Sequence, residues 1–559
     1  MMWRRISWIF LHSISIAVIV AAAYSQLWCW WNVVTGDAIS YLDIARLYEQ
    51  GDWHNALNSY WCPLYSWLLA ALFKVIPPEI DTEFFLVHCL NFAIFLFALG
   101  SHVLLMSALW RMYLKETEPL TEIVPMSRNV FFLCGYSVFL YSFFVLGGMG
   151  YITPDLLMSA LMLLATWQAV EILLRPDQTF RYVFLGLLLG LSYLAKAVAF
   201  PISAVFYLSM FFSLRGVPSA SRKLILAAAV QLLVMAPFVT AISLKYGYFT
   251  YSDMVKVSQK WVMRESNFQD RGPSYLHPTR VLSTSPRVYE FDAPLNVTYA
   301  PWFDPVYWNA GAPYYVKIET YLRCARENTP SYWLFIGGFV VGLLLVSSLS
   351  QRKFCLTASS ITANALIIFP SAVAFGGYYF VALISSDPRY FSAFAELFFL
   401  GLFMSLRLVR GGKSVRRTLI LTAIAGSVPF WFAAGIMHGL DQVMAAQNRR
   451  TVQQEVASLL RSAGLQPGDK VVHLGSFYHS WAHLAGLKII AEIREDVNMF
   501  WALPREKQEA LVEKFKALGA KAVVQDPKLD VELNVDSVRK LSKEWVPVKG
   551  STAVVRIIN

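Results

Sequence analysis

Charge is what this chain has least of. Asp, Glu, Lys and Arg supply 15% of its 559 residues while 56% are hydrophobic, and the mean hydropathy is +0.47. Soluble domains carry about 25% charged residues, so a soluble globular chain of this length is excluded. Cysteine is also scarce. Its six copies (Cys29, Cys62, Cys89, Cys134, Cys324, Cys355) form no CxxC pair and no metal-ligand spacing, which removes zinc ribbons and thioredoxin-like redox chemistry. Cys29 and Cys62 share one side of the expected topology and are the one pair that a bridge would suit; free thiols in or near the membrane are the plainer reading. No HExxH pattern occurs, and no internal repeat is visible, which weighs against the inverted-repeat transporters. No basic stripe with interleaved aromatics accompanies the net charge of +11, so nucleic acid is not an expected partner.

What the chain does have is long apolar runs. Stretches of about 18 or more apolar residues match the ~30 Å hydrocarbon core of a bilayer. They fall near 6–24, 84–110, 129–147, 154–174, 182–195, 198–214, 224–243, 331–350, 355–376, 389–406 and 418–437. The expected fold is therefore a polytopic α-helical bundle of about eleven transmembrane helices. Arg4 and Arg5 precede the first run as in a signal peptide, but it leads into Trp28, Trp30 and Trp31, an interfacial aromatic belt, and is read as an uncleaved helix. Lys and Arg gather in alternate short loops, from Arg4 and Arg5 through Arg111, Arg181, Lys223 and Arg352 to Arg416 and Arg417. That side is expected to be cytoplasmic, and the positive charge reports this rim and its contact with anionic lipid. The first loop (25–83), the long loop (244–330) and the C-terminus then face outward.

Two domains are expected: a membrane bundle over 1–440 and a small extracytoplasmic α/β domain over 441–559. The long loop is rich in Pro, Tyr and Trp, including Tyr299, Trp302, Phe303, Tyr307, Trp308, Tyr314 and Tyr315. A loop of this length is functional or structured, and a partly helical lid packed on the bundle is expected, with aromatic faces that pack or stack on sugars. In the tail, an apolar stripe at Val452, Val456, Leu459 and Leu460 indicates a helix within 441–464, stopped by Gly464 and Pro467-Gly468. Strand-like runs follow at Lys470–Leu474, Lys488–Ile493 and Lys521–Gln525, with a last pair around Val546 and Val554–Ile558. Helix-like segments at Tyr478–Ala485 and Pro504–Leu518 alternate with them. The tail carries no GxGxxG and no P-loop, so its alternation assigns it no chemistry.

Ionisable groups at membrane depth or its edge are costly and mark functional candidates. Asp37 and Asp43 in the first loop, Asp155 at the start of the fourth span, Lys196 at the end of the fifth, and Arg389 with Tyr390 at the start of the tenth all map to the outer face. Carboxylates and cations gathered there suit transfer of a sugar from a lipid phosphate to a hydroxyl: cations neutralise the leaving phosphate and a carboxylate takes the acceptor's proton. Each residue also has a plain reading. Asp37 suits an Asx-turn after Gly36, Asp43 the solvated face of a helix, Asp155 the first turn of one, Lys196 snorkelling to the interface, and Arg389 a pair with Asp387. His479 and His483 stand i and i+4 on an expected helix and invite a metal reading, but with no HExxH and no third ligand at tight spacing a surface or packing role is preferred for them and for His473, and no metal ligand is assigned; a divalent metal cofactor is left open. Asn296-Val297-Thr298 fits a glycosylation sequon.

Together, Gly36-Asp37 with Tyr41 and Ala45, Trp61-Cys62-Pro63-Leu64-Tyr65, Thr153-Pro154-Asp155, the GLLLGLSYLAK run from Gly186 to Lys196, and Asp387 to Tyr390 resemble the GT-C superfamily of membrane glycosyltransferases. The resemblance is to the branch of protein O-mannosyltransferases and lipid A aminoarabinose transferases, and covers roughly residues 1–440. It implies a polyprenyl-phosphate-linked sugar as donor substrate and a hydroxyl or amine on a glycan, lipid or protein as acceptor. It further implies inversion at the anomeric carbon, Asp37 as base, and a site facing the periplasm of a bacterial inner membrane, where envelope glycans are built. The chain departs from the pattern at Cys62-Pro63, where many relatives have Lys-Pro or Pro-Pro, leaving Lys196 and Arg389 to meet the phosphate. A transporter or flippase of a lipid-linked saccharide is the other reading.

Overall fold

In hydrocarbon only a helix or a closed barrel satisfies its own backbone, so the apolar runs fold into helices. The computed structural model describes residues 2–32, 34, 36–117, 123–124, 127–148, 150–254, 256–257, 279–291, 296–305, 318–332, 354–355, 358–381, 388–405, 407–409, 435, 451–475, 480–494, 496–525, 544–549 and 551–558. The helices of the membrane part are α1 (Met2–Trp30), α2 (Gly36–Glu49), α3 (Pro63–Val75), α4 (Glu83–Thr117), α5 (Arg128–Gly147), α6 (Asp155–Leu174), α7 (Thr179–Ala195), α8 (Ala199–Ser213), α9 (Ala220–Tyr246), α10 (Ala358–Val381) and α11 (Ser392–Ser405). Among the described residues five helices, Ile9–Trp30, Glu83–Thr117, Arg128–Gly147, Asp155–Leu174 and Ala220–Tyr246, are long and apolar enough to cross a membrane. The expected spans at 331–350 and 418–437 fall almost wholly outside the described residues.

α6 is buried along most of its length and packs between α4 and α7, while α1 and α9 present apolar residues such as Phe10, Val18, Ile225 and Leu233 outward, as helices facing lipid do. Gly186 and Gly190, one turn apart on α7, let α9 approach. A Cβ at Gly186 would lie 2.1 Å from the Ala227 carbonyl oxygen, and one at Gly190 2.7 Å from Val234 Cβ. The spacing is that of small-residue helix packing in membranes, and it sets where Lys196, just past the end of α7, emerges. At the other end of the same helices Glu171 of α6 pairs with Arg111 of α4 and, at 3.5 Å, with Arg181 of α7.

The first loop differs from expectation in two ways. α1 runs on through Trp28 to Trp30, so only a short link separates it from α2. Asp37 therefore sits in the first turn of a helix rather than in an Asx-turn, where a carboxylate complements the exposed N–H groups. Ten residues of α2, from Ala38 to Tyr48, are buried, Asp43 among them. That removes the solvated-face reading of Asp43.

The C-terminal segment forms a sheet from β3 (Lys470–Leu474), β4 (Lys488–Ile493), β5 (Ala520–Gln525), β6 (Trp545–Pro547) and β7 (Val554–Ile557), with α12 (Val452–Ser462), α13 (Ser480–Ala485) and α14 (Arg505–Ala517). Thr451 and Gln454 form a reciprocal capping box at the start of α12. The sheet is not confined to this segment. A hairpin of the long loop, β1 (Arg280–Thr284) and β2 (Arg287–Glu290), completes it as a seven-stranded sheet in the order β1-β2-β4-β3-β5-β7-β6. β3 runs parallel to β4 and β5, and β2 pairs antiparallel with β4, Tyr289 opposite Glu492 and Glu290 opposite Ala491. The seam continues where the Phe291 N–H donates to the Ile490 carbonyl and the Ile489 N–H to the Thr298 carbonyl, both at 2.9 Å.

Candidate active site

Gly36 opens α2 because something lies against it. A Cβ there would stand 2.6 and 2.8 Å from ring carbons of Trp302. Trp302 belongs to a single turn of the long loop, Ala300–Phe303, held by hydrogen bonds to its backbone: Ser40 Oγ and Trp61 Nε1 donate to the Trp302 carbonyl at 3.0 and 3.1 Å, and Asn58 Nδ2 to that of Phe303 at 2.7 Å. The loop thus closes on the turn that carries Asp37. Overpacking costs about 1–3 kcal/mol, so Gly36→Ala is expected to displace Trp302 and cut activity roughly tenfold. In a cycle with Trp302→Ala the two effects should fail to add; additive effects would show that the contact is without consequence.

Arg389 Nη2 donates to Asp37 Oδ2 at 2.7 Å. Arg389 lies in a 3₁₀ turn, Pro388–Phe391, leading into α11, and its guanidinium rests over the Tyr151 ring at 4.7 Å and the Tyr390 ring at 5.2 Å. Asp155, the first residue of α6, is buried and accepts from Thr153 Oγ1 at 2.9 Å and from the Lys196 ammonium. Lys196 stands 4.3 Å from the centre of the Tyr390 ring, so one aromatic face system contacts both cations. Burial first, then Cys62, Asp155 and Asp37, hold the Tyr41 phenol well above its ordinary pKa; it stays protonated beside the two carboxylates.

Five of the six residues singled out in the sequence therefore meet: Asp37, Asp155, Lys196, Arg389 and Tyr390. They arrive from α2, α6, the end of α7 and the turn before α11. Arg389 pairs with Asp37; Asp387 lies outside the described residues. Asp43 is not brought to the cluster. Its two oxygens accept from the Thr298 N–H and Oγ1 at 2.8 and 2.7 Å and face His483. The two carboxylates of the cluster differ in access: the Asp37 side chain is 30% exposed and that of Asp155 6%. Each faces a cation, a donor set that does not fit a divalent metal between them, and among the described residues no group of three or more His, Cys, Asp or Glu is arranged to hold one. His473 is buried in β3, and His479 lies outside the described residues. Cys29 and Cys62 are both buried and are not bridged to each other.

Tyr151 and Thr153 join the cluster, although neither was singled out as a site residue in the sequence. One further pair was missed: His102 of α4 and Glu396 of α11, both fully buried, with Nδ1 and Oε1 2.6 Å apart. Each is an ionisable residue inside an apolar run, which is a visible signal.

No family model and no curated protein matches the chain. Among solved structures it is similar to ArnT from Cupriavidus metallidurans bound to undecaprenyl phosphate, at 14% identity and a TM-score of 0.45 over 97% of each chain. It is similar to the apo form of that protein at 14% and 0.46, over 99% of this chain and 98% of that one. It is also similar to the Archaeoglobus fulgidus oligosaccharyltransferase tethered with an acceptor peptide containing the NVT sequon, at 11% and 0.47, over 92% of this chain and 69% of that one. At such values no residue is assigned from the likeness, and the site stands on its own geometry.

Proposed function

We propose that this chain is a membrane glycosyltransferase that moves a sugar from a polyprenyl-phosphate donor to an acceptor hydroxyl or amine, with inversion, at the outer face of a bacterial inner membrane. The observation that carries this reading is the meeting of Asp37, Asp155, Lys196, Arg389 and Tyr390, drawn from distant segments, at the end of the bundle opposite the Arg111–Glu171 pair.

The roles follow from access and charge. Asp155 is buried and holds Lys196 in place; Asp37 is the reachable carboxylate. A donor phosphate competes with Asp37 for Arg389, so its arrival frees the Asp37 carboxylate beside the acceptor. The acceptor oxygen or nitrogen attacks the anomeric carbon while Asp37 takes its proton. The bond from that carbon to the phosphate oxygen breaks, its electron pair stays on polyprenyl phosphate, and Lys196 and Arg389 offset the added charge. Attack opposite the leaving group inverts the centre.

About eleven spans would put Asp37, the long loop and the C-terminus on the outer side. A reporter after Asn559 or near Asp270 is then active outside, and one between Gly411 and Lys413 only in the cytoplasm; an inward Asp270 would separate the loop from the site. Mass analysis of envelope glycans and lipids from a deletion strain identifies the sugar and its acceptor by what is lost. An unchanged envelope sinks the reading. The flippase reading draws on one observation, the buried His102–Glu396 pair inside the bundle.

A further inference from the structure

Asp43 and Glu83 face one imidazole from opposite sides. His483 Nδ1 lies 2.8 Å from Asp43 Oδ1, and its Nε2 lies 2.7 Å from Glu83 Oε1. A neutral imidazole has a single N–H, and a carboxylate offers no hydrogen to the other nitrogen, so both contacts are satisfied by the imidazolium. Arg46 donates to the second Glu83 oxygen and to Glu49, each at 3.2 Å. The three central side chains are 4–6% exposed. They line an open polar cleft of about 770 Å³, whose other charged lining residues are Glu79 and Asp81 from the link between α3 and α4, and Arg461 and Lys488 from the C-terminal segment.

Three bodies meet at this point: α2, the start of α4, and α13 of the C-terminal sheet. Asp43 is six residues from Asp37 on one helix, about 9 Å along its axis. It also grips Thr298, four residues before the Trp302 that covers Gly36. A clamp on Asp43 therefore restrains both the helix that carries Asp37 and the loop that lies against it.

We propose that His483 is a positioning residue for Asp37: its imidazolium fixes α2 between the bundle and the C-terminal sheet and so holds Asp37 where it meets Arg389. The inference rests on the reading of Asp37 as the base. It gives the C-terminal segment a task in the reaction, that of completing the support of the catalytic helix.

The clamp is sensitive to pH in a defined sense. Burial by itself would lower the pKa of His483, but Glu83 and Asp43 outweigh it and raise it from 6.5 to about 10. A group raised in this way contributes its full stabilisation below pH 6.5 and loses it as pH rises through about 10. α2 therefore loosens on the alkaline side, as His483 gives up its proton.

Hydrogen exchange of the full-length protein in nanodiscs tests this without reference to activity. His483→Gln removes the charge and is expected to raise exchange across residues 36–49 at least tenfold while α5 and β5 keep their protection. His483→Arg, which keeps a cation with several N–H donors, is expected to restore it and to abolish the excess loosening of wild type between pH 7 and 10. Should His483→Gln fail to fold, Glu83→Gln breaks the clamp from the membrane side. Unchanged exchange in α2 with the sheet still docked overturns the proposal. So does a loosened α2 with the full amount of the envelope modification, in a protein where Asp37→Asn abolishes it. If Asp37→Asn keeps the modification, the base reading fails separately and the positioning role falls with it.

Discussion

Asp37→Asn is expected to lower sugar transfer by about 10²–10⁴-fold, the range of a general base, while polyprenyl phosphate still binds. Asparagine keeps the size of the side chain and a hydrogen-bonding oxygen for Arg389, but accepts no proton. Lys196→Ala and Arg389→Ala should differ in kind, because each removes a positive charge that faces the phosphate, and binding of polyprenyl phosphate falls along with turnover. Lys196→Ala also leaves Asp155 buried without its cation, and breaking a buried pair from one side costs about 3–5 kcal/mol, so its stability is measured alongside. Near-normal transfer by Asp37→Asn with the identified donor and acceptor would reject the base. Asp155 would be the next carboxylate to test, ahead of Asp43, which has no place in the cluster.

Ending the chain at Gly439 is expected to reduce transfer to below about one hundredth, through lost support of α2 rather than lost chemistry. The truncation removes β3 to β7, leaving β2 as an unpaired edge, and removes His483, leaving Asp43 and Glu83 without the imidazolium that joins them. Helices α4 to α9 pack mainly against other helices of the bundle and are expected to stay folded, so binding of polyprenyl phosphate survives in weakened form. A truncated protein that keeps a tenth or more of wild-type transfer would make the sheet an accessory.

Local pattern and the meeting of residues across the fold were legible to different degrees. Apolar runs gave the helices, because hydrophobic length is written into consecutive residues. The strands Lys470–Leu474 and Lys488–Ile493 were readable with their bounds for the same reason. Costly charges at one membrane face pointed to Asp37, Asp155, Lys196 and Arg389 before any pairing among them was visible. What the sequence hid was pairing between segments far apart. The hairpin Arg280–Glu290 joins a sheet some two hundred residues downstream, and nothing in the alternation of a single strand names its partner. The sheet consequently looked like a separate tail domain. Asp43 was misjudged for a related reason: the residues that bury it, Thr298 and His483, come from the long loop and from that sheet. His483 in turn was weighed against metal-ligand spacing, whereas its task is set by two carboxylates that are distant in sequence.

Purified protein in liposomes, supplied with the sugar-linked polyprenyl phosphate that accumulates in a deletion strain and with the acceptor lacking its modification there, tests the transferase reading most directly. The expected result is glycosylated acceptor with the opposite anomeric configuration, formed together with an equal amount of free polyprenyl phosphate. Intact donor that redistributes between the leaflets, with no free polyprenyl phosphate released and no dependence on Asp37, would contradict it and make the protein a flippase.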